Sequence, residues 1–333
     1  MKAFFITTET NETPKYPESL ACINGNEVKH YIFHHRGDRR NVEHLPQPAL
    51  DRIIFETAVK FSPDVIVYLG SCGGNIPTAN VFTRLNAEIA PTVLMCSDAA
   101  DEASPWWPLL REYDKRNCFS VVVGIDGNRN WEFSDRHITL LTPIDPARYP
   151  APPIPHIDRS IVFGFAGNMG SDRTMKAGKV VGRRPLINEM MTFGLQCRQR
   201  DDTFDKTKPH SKSYQDCCDY MAQTRIMPNF CETGSYERTH VKGRVVEAGL
   251  AGCMLLEQTN SPANHWFELG TDYLEFETVA DVRKMVEHYR DRPDETQAFG
   301  DRLRAKMMAE HTPQMFWGQI MTKLGLPRDI RTV

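Results

Sequence analysis

Short runs of β-branched and apolar residues alternate along this chain with segments of helical period, and a wound parallel sheet is the architecture that accepts such alternation. Residues 64–69, Asp-Val-Ile-Val-Tyr-Leu, lie between Pro63 and Gly70 and have the near-continuous hydrophobicity of a strand covered on both faces. Ahead of them Leu50, Ile53, Ile54, Ala58 and Phe61 fall on one face of a helix. Residues 78–89 and 105–117 then read as helices and 92–96 and 119–124 as strands, with right-handed crossovers between them.

Residues 142–155 interrupt the pattern with six prolines, which fit neither a central strand nor the interior of a helix. Beyond them the alternation restarts: a strand from Ser160, a helix over 184–194, a strand over 225–230, a helix over 242–251, a strand over 253–256 and a helix over 279–290. A length of 333 residues exceeds what one hydrophobic core usually serves. The expected organisation is therefore an α/β domain over 1–145, a proline-rich linker over 146–158, a second α/β domain over 159–312 and a final helix over 313–333. That helix carries Trp317, Ile320, Met321 and Leu324 at i, i+3, i+4 and i+7, a stripe expected to bury itself on the first domain. A cleft between the domains is the expected place for a ligand.

The 40 basic and 43 acidic residues leave a formal charge of −3 and form no long block of one sign, which argues against a general binder of phosphate backbones while leaving a local basic groove open. The apolar run at the N-terminus is too short for a signal peptide or a membrane span, so no transmembrane segment and a cytoplasmic location are expected. Nine cysteines, mostly scattered singly among apolar residues, read as reduced and buried. Cys217 and Cys218, with Cys231 and His210 nearby, lack the spacing of a zinc site.

Ligands of open parallel sheets bind beyond the carboxyl ends of the strands, which directs attention to three loops of the second half. In Gly164-Phe-Ala-Gly-Asn-Met-Gly170 the glycines allow a backbone to approach a ligand and present amides to an anion, or simply make a turn; Gly167 and Asn168 are its candidates. The spacing is not that of a nicotinamide fingerprint. Downstream, Arg184 precedes Pro185 at a helix start, where an arginine joins the helix amides on a phosphate or is a solvated surface residue. Met227-Pro-Asn-Phe230 puts Asn229 at the end of a strand, in a ligand-facing loop or a plain connection. In His240-Val-Lys-Gly-Arg-Val-Val-Glu247, Lys242, Gly243 and Arg244 open a helix at which two cations and the amides could neutralise a diphosphate. Glu247, one turn on, could accept both hydroxyls of a ribose; an ordinary helix with charged ends is the other reading. Gly249 and Gly252 imply a close approach by a ligand or a neighbouring strand.

Residues 160–322 resemble the C-terminal domain of the CgeB-like glycosyltransferases, related to the large group-1 family. The matching features are Phe-Ala-Gly-Asn at 165–168, Arg184 opening a helix, Lys-Gly-Arg-Val-Val-Glu-Ala-Gly-Leu-Ala-Gly at 242–252, Trp266-Phe-Glu-Leu-Gly-Thr-Asp and Glu310-His-Thr-Pro. The first half fits more loosely through Pro63-Asp-Val-Ile-Val and Pro91-Thr-Val-Leu-Met-Cys-Ser-Asp98. The resemblance implies a GT-B fold, two Rossmann-like α/β domains with a cleft between them, the second holding a nucleoside-diphosphate sugar and the first the acceptor. It also puts Glu247 at the family's ribose-binding glutamate. Many group-1 members carry another glutamate eight positions earlier, where this chain has Thr239, so retention or inversion is left open.

The expected activity is metal-independent transfer of a sugar from a nucleoside diphosphate, UDP or GDP, to an acceptor hydroxyl, with no cofactor. The chain has no Asp-x-Asp triplet of the kind that binds a divalent metal in the other common glycosyltransferase architecture. Asp98, just beyond a strand of the first domain, and after it Asp101 are candidates for the base that activates the acceptor, or else caps of the following helix. The loop from Gly70 to Asn75 lines the acceptor side or merely turns the chain. The acceptor itself, a glycan, protein, small molecule or modified nucleic acid, is not identified. A sugar-nucleotide epimerase, a non-catalytic nucleotide-binding protein and a DNA-base-modifying glycosyltransferase are the rival readings.

Overall fold

In the computed structural model the residues described are 1–7, 15–33, 45–70, 76–96, 106–125, 127–132, 134–167, 183–199, 214–232 and 239–326. The chain divides into one unit made of Met1–Asp145 with Pro313–Val333 and another made of Pro146–Thr312.

The first unit is built on six parallel strands, β1 (Lys2–Thr7), β2 (Glu27–Ile32), β3 (Val65–Leu69), β4 (Thr92–Cys96), β5 (Val121–Gly124) and β6 (His137–Thr139). Their order across the sheet is β2-β1-β3-β4-β5-β6. The apolar run at the N-terminus is thus a strand beside the middle of the sheet: Ala3, Phe4, Phe5 and Ile6 are all fully buried. Alternate residues supply two cores, one on each face. Phe4, Ile6, Ile66, Tyr68 and Leu94 meet Leu50, Ile54 and Ala58 of α2 (Gln47–Phe61) and Val81, Phe82 and Leu85 of α3 (Ala79–Glu88). α3 starts where the Thr78 hydroxyl accepts from the Val81 amide, with Asp51 of α2 holding Thr78 in turn.

The second unit has five parallel strands, β7 (Ile161–Gly167), β8 (Gln196–Gln199), β9 (Thr224–Asn229), β10 (Met254–Gln258) and β11 (Tyr273–Phe276), ordered β11-β10-β9-β7-β8. Around them run α5 (Arg183–Met191), α6 (Tyr214–Ala222), α7 (Gly243–Ala251), α8 (Val279–Tyr289) and α9 (Pro293–Glu310). α8 opens with a capping box between Thr278 and Asp281. Gly249 owes its lack of a side chain to α9, and Gly252 to its left-handed backbone, with φ of +68°. A Cβ on Gly249 would come 2.7 Å from Cγ of Met307, and one on Gly300 would fall on the Gly252 carbonyl. The close approach expected there is thus neither a ligand nor a strand.

From Pro146 on, the proline-rich stretch lies within the second unit. It forms short helical turns at Pro146–Arg148 and His156–Asp158. His156 is buried and hydrogen-bonds through its two ring nitrogens to Thr296 and to the Gly252 carbonyl, each at 2.7 Å. Burial lowers its pKa to about 4, so it stays neutral. Beside it the Arg159 guanidinium donates to the carbonyls of Ile154, Thr224 and Ala251, tying the entrance of β7 to β9 and to the end of α7.

The last helix, α10 (Pro313–Lys323), belongs to the first unit. Phe316, Trp317, Ile320 and Met321 pack with Phe5, Val67, Val93 and Val121 on the sheet face opposite α2 and α3. Trp317 stands edge-on to Phe5 at 5.6 Å between ring centres and donates its indole N–H to Ser19 of α1 (Lys15–Ala21) at 3.0 Å. α4 (Trp106–Lys115) also belongs to this unit. Among the described residues no helix is long and apolar enough to cross a membrane.

Candidate functional site

In the second unit the chain leaves β7 toward β8 on one side, and the connections after β9 lead to the other, so the order reverses between β7 and β9. The space beyond the carboxyl ends of two such strands is where wound parallel sheets receive ligands. Gly167 ends β7 and Asn229 ends β9, and the chain after β9 returns to open α7 with Lys242, Gly243 and Arg244.

α7 begins without a side-chain cap. Lys242 stands at the N-cap in extended conformation and Gly243 is the first helical residue. The first amides of a helix have no partner within it, so this end of the macrodipole offers donors and partial positive charge.

Arg244 turns back along the helix. Its Nη1 lies 2.8 Å from Oε2 of Glu247, three residues on, and the two side chains are 18% and 3% exposed. Gly167, with φ of +150°, makes room for this guanidinium: a Cβ there would come 3.0 Å from Nη2 of Arg244. Sequence reasoning paired Arg244 with Lys242 on a diphosphate; the structure gives it a carboxylate partner in its own helix.

The other oxygen of Glu247 is held from a second helix. The Tyr214 hydroxyl, at the start of α6, donates to Oε1 at 2.8 Å. The proline-rich stretch covers Tyr214 in turn, with the Arg148 guanidinium 4.7 Å from its ring centre and the Arg148 carbonyl accepting from Gln215 at 2.8 Å. Tyr149 is buried beside them. Burial first, and the negative charge of Glu247 second, keep the Tyr149 and Tyr214 phenols far from ionisation.

A second buried carboxylate lies at the end of β10. Glu257 pairs in register with Asn229 on one side and Glu275 on the other, and Asn229 donates to its Oε2 at 2.8 Å. Its Oε1 has no hydrogen-bond partner among the described residues. Burial raises its pKa to about 7, against the help of Asn229, Ser261 and the charge of Lys242. Glu232, just past β9, is half-buried, and its pKa is likewise raised by burial against the opposing effects of Gln258, Arg183 and Lys242.

The structure thus brings Gly167, Asn229, Lys242, Gly243, Arg244 and Glu247 to one end of the second sheet. Arg184 is in the first turn of α5 beside Arg183, whose guanidinium lies 5.9 Å from the ring centre of Phe230. Thr239 bridges to Glu232 and donates to the Asn260 carbonyl at 2.6 Å. Asn168, Asp98, Asp101 and the loop after Gly70 lie outside the described residues. Sequence reasoning missed Tyr214, Arg148 and Glu257. Only Glu257 carried a signal, an acid closing the apolar run Met254-Leu-Leu.

Residues 189–322 match a family model described as glycosyl transferase-like. No curated protein matches the chain significantly in sequence. Among solved structures it is similar to HepE of Anabaena in complex with UDP-glucose, at a TM-score of 0.62 and 11% identity over 98% of this chain and 99% of that one. It is also similar to sucrose-phosphate synthase of Thermosynechococcus elongatus, at 0.60 and 10% over 98% and 99%. A third similarity is to UDP-GlcNAc 2-epimerase of Neisseria meningitidis, at 0.50 and 10% over 97% and 100%. The two wound parallel sheets and these likenesses give the chain the GT-B fold, with a glycosyl transferase-like match over residues 189–322.

Proposed function

We propose that the chain transfers a sugar from a nucleoside diphosphate, held at the carboxyl end of the second sheet, to an acceptor hydroxyl, without a metal. The observation that carries this reading is the opening of α7: an uncapped helix start with Lys242 at its N-cap, one turn ahead of a carboxylate fixed at both oxygens. Phosphate oxygens suit the amides and Lys242, with Arg183 and Arg184 at the start of α5 as further cations. A carboxylate has about four lone-pair positions. Tyr214 and Arg244 each bond one oxygen of Glu247, and in this reading the two ribose hydroxyls bond the same carboxylate. UDP is the nucleotide favoured, because HepE was solved with UDP-glucose and the epimerase with UDP-GlcNAc.

In the reaction the acceptor oxygen bonds to the anomeric carbon as the bond from that carbon to the β-phosphate oxygen breaks. The diphosphate departs with the electron pair, its growing charge met by Lys242 and the helix amides. The acceptor proton passes to a base, for which Asp98 and Asp101, two and five residues beyond β4, are the candidates.

Similarity to the epimerase favours one second reading, isomerisation of the donor with no acceptor. UDP release from UDP-glucose that rises with added acceptor supports transfer; release that ignores acceptor, with a changed sugar, supports the epimerase. The phosphate assignment has its own test. Lys242→Ala is expected to weaken UDP binding at least tenfold while leaving the weak binding of uridine unchanged, and equal losses for both ligands would remove Lys242 from the phosphate site.

A further inference from the structure

Glu247 and Glu257 are both buried acids of the second unit, and among the described residues a cation is seen in contact with Glu247 alone. Glu247 has Arg244 at 2.8 Å on Oε2 and the Tyr214 hydroxyl at 2.8 Å on Oε1. The other groups facing this pair are Cys217 and Cys218 of α6 and Tyr149 of the proline-rich stretch, all buried, with the Arg148 guanidinium 4.7 Å from the Tyr214 ring centre. Arg244 is the cation seen in contact with Glu247, and Gly167 is shaped to admit it.

We propose that Arg244 and Tyr214 are positioning residues that hold Glu247 as a fixed, charged acceptor for the donor's ribose. Neither needs to touch the ligand. The inference rests on Glu247 contacting the ribose and adds how that contact is made possible. A buried carboxylate with no cation in contact gains a proton at moderate pH, and Glu257, held by the Asn229 amide, with Glu275 raising and Lys242 lowering its pKa, does so near pH 7. Without the Arg244 charge, Glu247 should behave the same way. As a carboxylic acid it has one oxygen turned donor, and the two ribose hydroxyls lose a shared acceptor.

The test measures binding of UDP-glucose, whose phosphates do not titrate between pH 6 and 8.5, to the full chain. Apart from any effect of Glu257, which wild type and variants share, wild type should bind about equally at both pH values. Arg244→Gln should bind roughly tenfold more weakly at pH 6 than at pH 8.5, the change expected of one group titrating near 7. Arg244→Lys keeps the charge and should remain flat with pH. Tyr214→Phe keeps the ring under Arg148 and removes the hydroxyl, so it should weaken UDP-glucose severalfold and leave the 2′,3′-dideoxy analogue unaffected. Should Arg244→Gln fail to fold, Arg244→Lys and Tyr214→Phe still decide the matter, through the flat profile and the loss confined to the ribose. A loss in Arg244→Gln that is the same at both pH values, or a Tyr214→Phe loss shared by the dideoxy analogue, overturns the proposal. Glu247→Gln separates the two levels. If it binds UDP-glucose as wild type does, the ribose assignment itself is wrong; if it binds weakly while Arg244→Gln shows no pH dependence, only the positioning role is wrong.

Discussion

Glu257 is fully buried at the end of β10, and the cost of ionising it there sets a pH dependence on the whole fold. Its pKa is raised from an ordinary 4.5 to about 7 by burial. The folded chain therefore holds this proton more tightly than the unfolded one. The contribution is fully present below about pH 4.5 and is lost as pH rises to about 7, by on the order of 3 kcal/mol at most. Glu257→Gln keeps the shape and lets the amide carbonyl accept from Asn229. It should leave the urea midpoint unchanged at pH 4.5 and raise it at pH 8. An equal shift at the two pH values would mean that Glu257 does not titrate in this range. At the same scale, Lys242, Gly243 and Glu247 were legible in the sequence because they lie within six positions on one helix. Tyr214 was not: it reaches Glu247 across 33 residues, and no local pattern reports such a contact. Arg148 was obscured by its own surroundings, since prolines on both sides suggested a linker where the chain packs against α6.

Between elements, α9 lies close over the end of α7 in the second unit. Gly252 ends α7 in the left-handed conformation, with φ of +68°, and its carbonyl lies where a Cβ of Gly300 would be. Backbone cannot move aside as a flexible side chain can, so Gly300→Ala should destabilise by about 1–3 kcal/mol. Chemical unfolding checks this, and an unchanged midpoint would show that the two helices separate freely. α9 gave no clear signal in the sequence, because only Phe299, Leu303 and Met307 repeat along one face amid charged residues. The glycines of α7 announced a close neighbour without naming it. Strands of three and four residues, such as β6 and β8, are too short for a period to register. β1 passed unrecognised because four apolar residues were weighed only as a membrane segment. The longer elements, α2, α3, β3, β4, α7 and α8, were readable because apolar period and turn residues agreed at both ends.

Across the whole molecule, the fold rests on two parallel sheets in which a reversal of strand order opens the carboxyl edge, and on a final helix that completes the first unit. The i, i+3, i+4 stripe of α10 was legible; its partners, Phe5 and Ser19, were not, being some 300 residues earlier in the chain. Trp317→Ala empties a fully buried site and removes a buried hydrogen bond, which should cost about 3–5 kcal/mol. Trp317→Phe should cost less, and a loss equal to that of alanine would assign the effect to the hydrogen bond rather than to packing.

The central claim is that the carboxyl end of the second sheet receives a nucleoside-diphosphate sugar with its ribose on Glu247. Titration calorimetry of UDP-glucose and of its 2′,3′-dideoxy analogue, against wild type and Glu247→Gln, tests it most directly. A carboxylate hydrogen bond of about 1.5–3 kcal/mol predicts at least a tenfold loss for UDP-glucose in the variant, with the analogue bound weakly and alike by both proteins. Equal affinity of the two proteins for UDP-glucose, or a loss that the analogue shares in full, would contradict it and leave Glu247 a structural residue of α7.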